Sequence, residues 1–568
     1  MEAIRVGRRL PGGLPPSRRE AIAALAGLPA LAAFLDACGP GAVREPRFDG
    51  EIVGGSSALG HRLVSGDPAD SGNLWRRPVA RTERVSVAIL GGGIAGLSAA
   101  WTLARAGLSD FALYEMEPVI GGNARSGENR VSKYPWAAHY VPVPAAENRM
   151  LETLLEEAGA LAGRGPDGRP VWDEGALIRE PEERLFFHGQ WVEGLYPRLG
   201  ASQEDLQQFA SFEREMRGFS AARDPRGRRA FALPRRLSSA DADFTSLDRL
   251  SMSDWLAGRG FHSPRLRWFV EYGCRDDFGS SLSETSAWAG IHYFAARLEG
   301  TSLEEDPSPF LTWPEGNGRL VTVLARSAPG KIRTGALVFD VVPSPWGVVA
   351  RYFDAAKDEV VAVETRHAVY ALPHYTARFA VAPLRDHPFG GELFDYVPWL
   401  VANVTLRERP APRGFPMAWD NVLYASKSLG YVVATHQEGR DHGPTVITWY
   451  HAFAGEGTAS ARKKLLSASW SDLASTVVAD LSLAHPDIGG KIERVDVYRW
   501  GHAMARPRPG TLFDPLRERA AAPIGRLRFA HADLSGLPLF EEASDAGVRA
   551  AESILREEGR PFSPLAAA

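Results

Sequence analysis

Between Val85 and Glu115 the chain reads VSVAILGGGIAGLSAAWTLARAGLSDFALYE, an order of elements that leaves few folds open. Val85, Val87, Ile89 and Leu90 make a short apolar β run. It ends on Gly91, Gly93 and Gly96, the Gly-x-Gly-x-x-Gly spacing. The first glycine permits a tight turn, the second lets the backbone approach a pyrophosphate, and the third lets the next helix pack closely on the strand. That helix is predicted from Ile94 to about Ala106, so Ile94 and Ala95 bring its N-terminal N–H groups and dipole toward a diphosphate. Gly107 ends the helix and Phe111 to Tyr114 read as a second strand. Glu115 follows at the position where a carboxylate accepts hydrogen bonds from an adenosine ribose.

The run Glu-Met-Glu-Pro-Val-Ile-Gly-Gly-Asn-Ala-Arg-Ser-Gly, Glu115 to Gly127, continues past the acid. Its Glu115, Gly121, Gly122 and Arg125 resemble the flavin-containing amine oxidase superfamily, which includes polyamine and monoamine oxidases, protoporphyrinogen oxidase and phytoene desaturases. The resemblance implies FAD, with the Gly-Gly turn and the arginine over the pyrophosphate and flavin side. Glycine amides and a guanidinium suit phosphate oxygens. Two later stretches repeat it. FLTWPEGNGRL (Phe310 to Leu320), a strand holding Ile332, Gly335 and Val338, and AVYALP ending at Pro373 resemble the family's second cofactor stretch, which implies that Val338 touches the adenine. Near the C-terminus, RFAHAD ends at Asp533 and a helix follows from Ser544 to Leu555, resembling the closing motif whose acid lies beside the ribityl and pyrophosphate. Many relatives have Glu where this chain has Asp533.

The implied fold is α/β, a discontinuous Rossmann-like FAD-binding domain with an inserted α+β substrate domain. The expected nucleotide segments are 85–145, 309–381 and 490–560, and the substrate segments 146–308 and 382–489. The first insertion reads as mainly helical, including Gln203 to Phe219, Pro264 to Tyr272 and Glu284 to Leu298, with a hairpin at Glu183 to Leu195. The second begins strand-rich, with LVANVTL, LGYVVATH and TVITWYH.

Amine-specific features of the family are missing. Amine oxidases carry a lysine that reaches the flavin N5 through water, whereas the comparable stretch here, Pro398 to Leu406, is PWLVANVTL. Asn403 is its polar residue best placed for the flavin, the alternative being an asparagine that satisfies neighbouring backbone. Without a cation there, electrons are expected to leave to a quinone or artificial acceptor in preference to oxygen. Leu539 and Phe540 stand where monoamine oxidases have a flanking tyrosine. YRWGH, Tyr498 to His502, resembles the segment at the other flavin edge, so Trp500 and His502 are candidate pocket residues beside a core Trp and a capping His as the plainer reading. Further polar candidates are His436, His451 and His531. Three functions stay open: an FAD oxidoreductase that takes a hydride from a small amine or desaturates or oxidises a lipophilic substrate, a flavin-bearing accessory protein with little turnover, and an NAD(P)-linked enzyme without flavin.

The N-terminus bears on location. Ser17-Arg18-Arg19 precedes an apolar, alanine-rich run from Ala21 to Leu35, too short to span a bilayer. It resembles a Tat signal, which would export the chain already folded around its cofactor to the periplasmic face of a bacterial inner membrane. Leu35-Asp36-Ala37-Cys38 resembles a lipoprotein box, implying cleavage after residue 37 and lipidation at Cys38, although Asp36 departs from the usual small or apolar residue. Residues 38–84, rich in Gly, Pro and Ser, read as a tether that partly packs on the enzyme. Cys274 is the other cysteine, so no structural disulfide is expected if Cys38 is acylated. With a formal net charge of −4, the composition gives no support to nucleic-acid binding. The 14 histidines are scattered, with no metal-ligand spacing.

Overall fold

A computed structural model describes residues 48–63, 73–298, 310–385 and 393–566. The signal-like segment 1–37 and Cys38 lie outside the described residues. Strand β1 (Val79–Leu90) begins well before Val85, and its last four residues are buried, as a central parallel strand requires. Helix α1 (Ile94–Arg105) and strand β2 (Phe111–Tyr114) follow as expected. In the first insertion come α2 (Arg149–Glu157), the hairpin strands β3 (Glu183–Phe187) and β4 (Gln190–Glu193), α3 (Gln203–Ala221), α4 (Pro264–Phe278) and α5 (Ala287–Ala295). Next are β5 (Ile332–Arg333), β6 (Ala336–Pro343), β7 (Val348–Asp354) and β8 (Glu359–Tyr370). The second insertion supplies β9 (Tyr396–Leu406), β10 (Asp420–Leu423), β11 (Gly430–Val433), β12 (Thr445–Ala452) and α6 (Trp470–Ala484). The chain closes with β13 (Ile492–Ala505), β14 (Leu527–Phe529) and α7 (Phe540–Glu557).

The nucleotide sheet has the order β5-β2-β1-β8-β7-β6, with β14 added to the end of β8. β1 is parallel to both β2 and β8, and β6 to β8 form an antiparallel meander. On one face α1 and α7 pack so closely that a Cβ on Gly547 would run into the Ala95 carbonyl. On the other, Tyr114, Phe339, Tyr352 and Phe353 join one apolar cluster.

The second large sheet has the order β13-β9-β12-β11-β10-β3-β4. Every residue of β9 is buried. The expected boundary at residue 490 is corrected here: β13 pairs along its length with β9 and so belongs to the substrate sheet. An apolar alternating strand does not reveal which sheet it joins. Helix α4 also runs past the expected Tyr272 to Phe278, where Gly279 ends it in the left-handed conformation. Gly273 faces the Tyr293 ring and Cys274 is buried, so tertiary packing carries the helix through a weak local pattern. The extra turn brings Asp276 and Asp277 to a wall of the site.

Candidate active site

A cavity of about 900 Å³ runs along the ends of β1, β2, β6 and β8. Gly91, Gly93, Ile94, Ala95, Glu115, Gly121, Gly122, Arg125, Val338, Asp533, Trp500 and His502 all line it. Three separated sequence motifs thus meet around one space. A Cβ on Gly93 would meet nothing within 4 Å and would project into this space. Gly96 instead lies under the turn, where a Cβ would strike the Gly91 carbonyl oxygen. The open side of Gly93 is therefore room for a ligand, and the bare side of Gly96 is room for the fold.

Glu115 holds the turn in place. Its Oε2 accepts from the Gly92 N–H at 2.7 Å and its Oε1 from the Glu117 N–H at 2.8 Å. Burial raises its pKa against those two hydrogen bonds. Arg125 donates to the Gly122 carbonyl at 2.9 Å and to the Tyr498 hydroxyl at 2.9 Å. Tyr498 and Trp500 stack at 4.0 Å beneath it. At the other end Asp533 accepts from the His374 N–H at 2.7 Å and from the Tyr396 hydroxyl. Burial opposes its charge, but His531, His374 and Tyr396 overcome this and keep the carboxyl well below the usual range. A hydrogen-bonding anion here, glycine N–H groups in the middle and the Glu115 carboxylate at the far end fit the ribityl, diphosphate and ribose of FAD in order.

A second cavity of about 130 Å³ adjoins the first. Asn123, Ala138, Trp500, Ala503, Leu539 and Phe540 belong to the walls of both. Four carboxylates line it, Asp276, Asp277, Asp420 and Glu541, against the single guanidinium of Arg297. Arg297 pairs with Asp277 at 2.6 Å. The Tyr140 hydroxyl lies 3.0 Å from Asp276 and 3.2 Å from Asp277, bridging the pair with its one proton. Tyr272 donates to Asp420 at 2.8 Å. Oε1 of Glu541 is buried with no hydrogen-bond partner among the described residues. Asp276 and Asp420 are half-buried and line the cavity wall. Burial pushes Asp420 up to about 8 and Glu541 up to about 7, and burial with the Asp277 charge moves Asp276 in the same direction. Burial likewise lowers His139 to about 4 and His502 to about 3, so both imidazoles are neutral. Among the described residues no group of His, Cys, Asp and Glu side chains could hold a metal ion.

Asn403 is not brought to either cavity. Its amide donates to the Pro135 carbonyl at 3.0 Å and accepts from the Thr448 hydroxyl at 2.7 Å, inside the sheet. The flavin-facing expectation for Asn403 is therefore withdrawn: Trp399 and Val401 of the same strand line the second cavity instead. Asn403→Ala is expected to leave flavin reduction unchanged and to lower stability by about 1–3 kcal/mol for each of the two buried polar groups it strands. Stopped-flow reduction and denaturant titration of the variant measure the two effects. His436 bonds the Arg179 carbonyl at 2.8 Å on the surface, and His451 lines neither cavity. His531 lies in the cofactor cavity beside Asp533.

The acidic wall was missed from sequence. One signal was available: Asp276 and Asp277 sit in the last turn of α4, where carboxylates oppose the helix dipole and need another reason to be there. Asp420 and Glu541 carry no such signal, since an acid at a strand start or in a first helical turn is ordinary.

A nucleotide cavity opening onto a separate small chamber defines a flavoprotein oxidoreductase. The chain belongs to the flavin-containing amine oxidoreductase family, whose model matches residues 94–555, and it is an FAD-dependent enzyme. Solved structures agree in fold. A wild-type putrescine oxidase bound to putrescine superposes with a TM-score of 0.61 at 17% identity, covering 84% of this chain and 100% of that one. Cyclohexylamine oxidase from Brevibacterium oxydans IH-35A gives 0.58 at 16%, covering 84% and 100%. A CLA-producing fatty acid isomerase from P. acnes gives 0.55 at 12%, covering 83% and 98%. No curated protein sequence matches the chain.

Proposed function

We propose that the substrate of this FAD-dependent oxidoreductase is a small cationic amine, bound by the acidic chamber and oxidised at a C–H bond facing the cofactor cavity. The excess of four carboxylates over one guanidinium carries this reading. Buried carboxylates need a compensating charge or a proton, and a lipophilic substrate provides neither. The amine oxidases among the similar folds support the same class, while the fatty acid isomerase keeps a lipophilic substrate as the competing outcome.

When bound, FAD supplies hydride acceptance. The chain's own groups do the rest. Asp276 and Asp420 attract the ammonium, and Tyr140 and Tyr272 fix those carboxyls by donated hydrogen bonds. An ammonium must lose a proton before its carbon yields a hydride, and the Asp420 carboxyl, raised to about 8, is suited to take that proton. Leu539, Phe540 and Trp500 make an apolar passage between the chambers that excludes water. Anaerobic mixing with a panel of amines is expected to bleach the flavin bands. Bleaching by polyenes or unsaturated fatty acids, with amines inert, overturns the reading.

The reading extends to location. The Arg18-Arg19 pair, the apolar run after it and the Cys38 box support Tat export to the periplasmic side with a lipid anchor at Cys38. Arg18→Lys with Arg19→Lys is expected to hold the holoenzyme in the cytoplasm, and Cys38→Ser to move it from the membrane to the soluble periplasmic fraction. Periplasmic holoenzyme from the double-lysine variant counts against the route, and unchanged membrane association of Cys38→Ser against the anchor.

A further inference from the structure

Residues 48–63 cross from one domain's sheet to the other. Phe48 packs edge-on against Trp470, with ring centroids 6.1 Å apart. Asp49 and Ile52 then bridge to Arg494 and Val497 in parallel, so this stretch is an added edge on β13. The Val497 N–H donates to the Glu51 carbonyl at 3.0 Å and the Val53 N–H to the Val497 carbonyl at 2.8 Å. Gly54 and Gly55 follow with φ of 66° and 70°, a left-handed pair that swings the chain off the sheet. A short helix, Ser57–His61, comes next. Past it, Arg62 lies over the Phe353 ring at 4.2 Å and Leu63 enters the core beside the nucleotide sheet.

The middle of this crossing lies against the cofactor cavity. Gly55, Ser56, Ser57, Gly60 and His61 line it, together with Glu115, Met116, Glu117 and Val338. Ser56 donates to Glu117 twice, from its N–H at 2.9 Å and from its hydroxyl at 3.1 Å. A Cβ on Gly60 would come within 3.4 Å of the Met116 sulfur. The helix itself buries no residue. Both ends are thus anchored by strand pairing and apolar packing, while the middle is held chiefly by polar contacts, among them the Ser56 hydrogen bonds to Glu117 and the Gly55 backbone contact with Tyr498. A segment held in this way opens locally while its ends stay fixed.

We propose that residues 54–61 are a strap that binds the adenosine half of FAD at the Glu115–Val338 end of the cavity and has to lift for the cofactor to enter or leave. The strap is independent of which substrate the enzyme takes. Its effect is on the rate of FAD exchange.

The test uses the full-length holoenzyme and reads FAD release by the recovery of free-flavin fluorescence after dilution. Ser56→Ala removes one hydroxyl donor and is expected to speed release about three- to tenfold, the range of one hydrogen bond. Gly55→Val has no neighbouring atom to strike but forces a branched residue to positive φ, and is expected to speed release about tenfold or more. In the wild type, amide hydrogen exchange of residues 55–61 is expected to accelerate when FAD is removed and to slow when it is restored. Equal release rates in wild type and Ser56→Ala overturn the proposal. Exchange of residues 55–61 that is indifferent to FAD overturns it as well, and that measurement needs no variant to fold.

Discussion

Gly93→Val is expected to give a folded, colourless protein. A Cβ at this position meets no protein atom within 4 Å, so the valine fits the fold and fills the space in which the diphosphate must lie. Flavin content as purified should fall about tenfold or more below the wild type, with circular dichroism unchanged. Gly96→Val supplies the contrast. There the new side chain drives into the Gly91 carbonyl and separates α1 from β1, so that variant should lose its fold together with its flavin. A yellow Gly93→Val protein with stoichiometric FAD removes the assignment of this turn to the cofactor.

The second large effect belongs to the acidic chamber. Asp276→Asn combined with Asp420→Asn keeps shape and removes two charges. The kcat/KM for cationic amines should fall about a hundred- to ten-thousandfold, given roughly 1.5–3 kcal/mol for each of two charged hydrogen bonds. FAD content should not change, since neither residue touches the cofactor cavity. In the wild type, kcat/KM should climb as pH rises through about 7 and about 8, where Glu541 and Asp420 lose their protons. The double variant should lose the upper part of that rise. Stability runs the other way. A carboxyl whose folded pKa is raised contributes stability that is fully present below its unfolded pKa and is lost as pH rises through the folded value. The substrate-free wild type should therefore melt at progressively lower temperature from pH 5 to 9, and the double variant should melt with a flatter profile. An amine kcat/KM in the double variant equal to the wild type would falsify the chamber's role.

Local spacing made the nucleotide half of the molecule legible. Val85 to Glu115 carries its meaning within a few residues, because a tight turn, a helix N-terminus and a strand end are set by neighbouring backbone geometry; Gly121, Gly122, Arg125, Val338 and Asp533 took theirs from the family resemblance. Those residues line one cavity, as that geometry requires. Trp500 and His502 also reach it, although a stacked Trp or a capping His reads no differently in sequence. Asn403 went the other way. Its neighbours on the strand cannot say whether the amide faces a cavity or closes on Pro135 and Thr448, since that depends on which strand lies alongside.

The amino-acid sequence by itself determined the βαβ nucleotide unit, which is written in short-range periodicity and glycine spacing, while the flavin cofactor and the two insertions followed from its resemblance to a family. Only the tertiary structure decided that β13 joins the substrate sheet, that α4 runs on to Asp276 and Asp277, and that Gly55 to His61 border the cofactor cavity. It also decided that these two acids meet Asp420 from a strand and Glu541 from the last helix in one chamber with a single arginine. The reason is physical. Strand register and helix docking are fixed by contacts between residues far apart in the chain, and buried like charges are drawn together there by packing that no local pattern encodes.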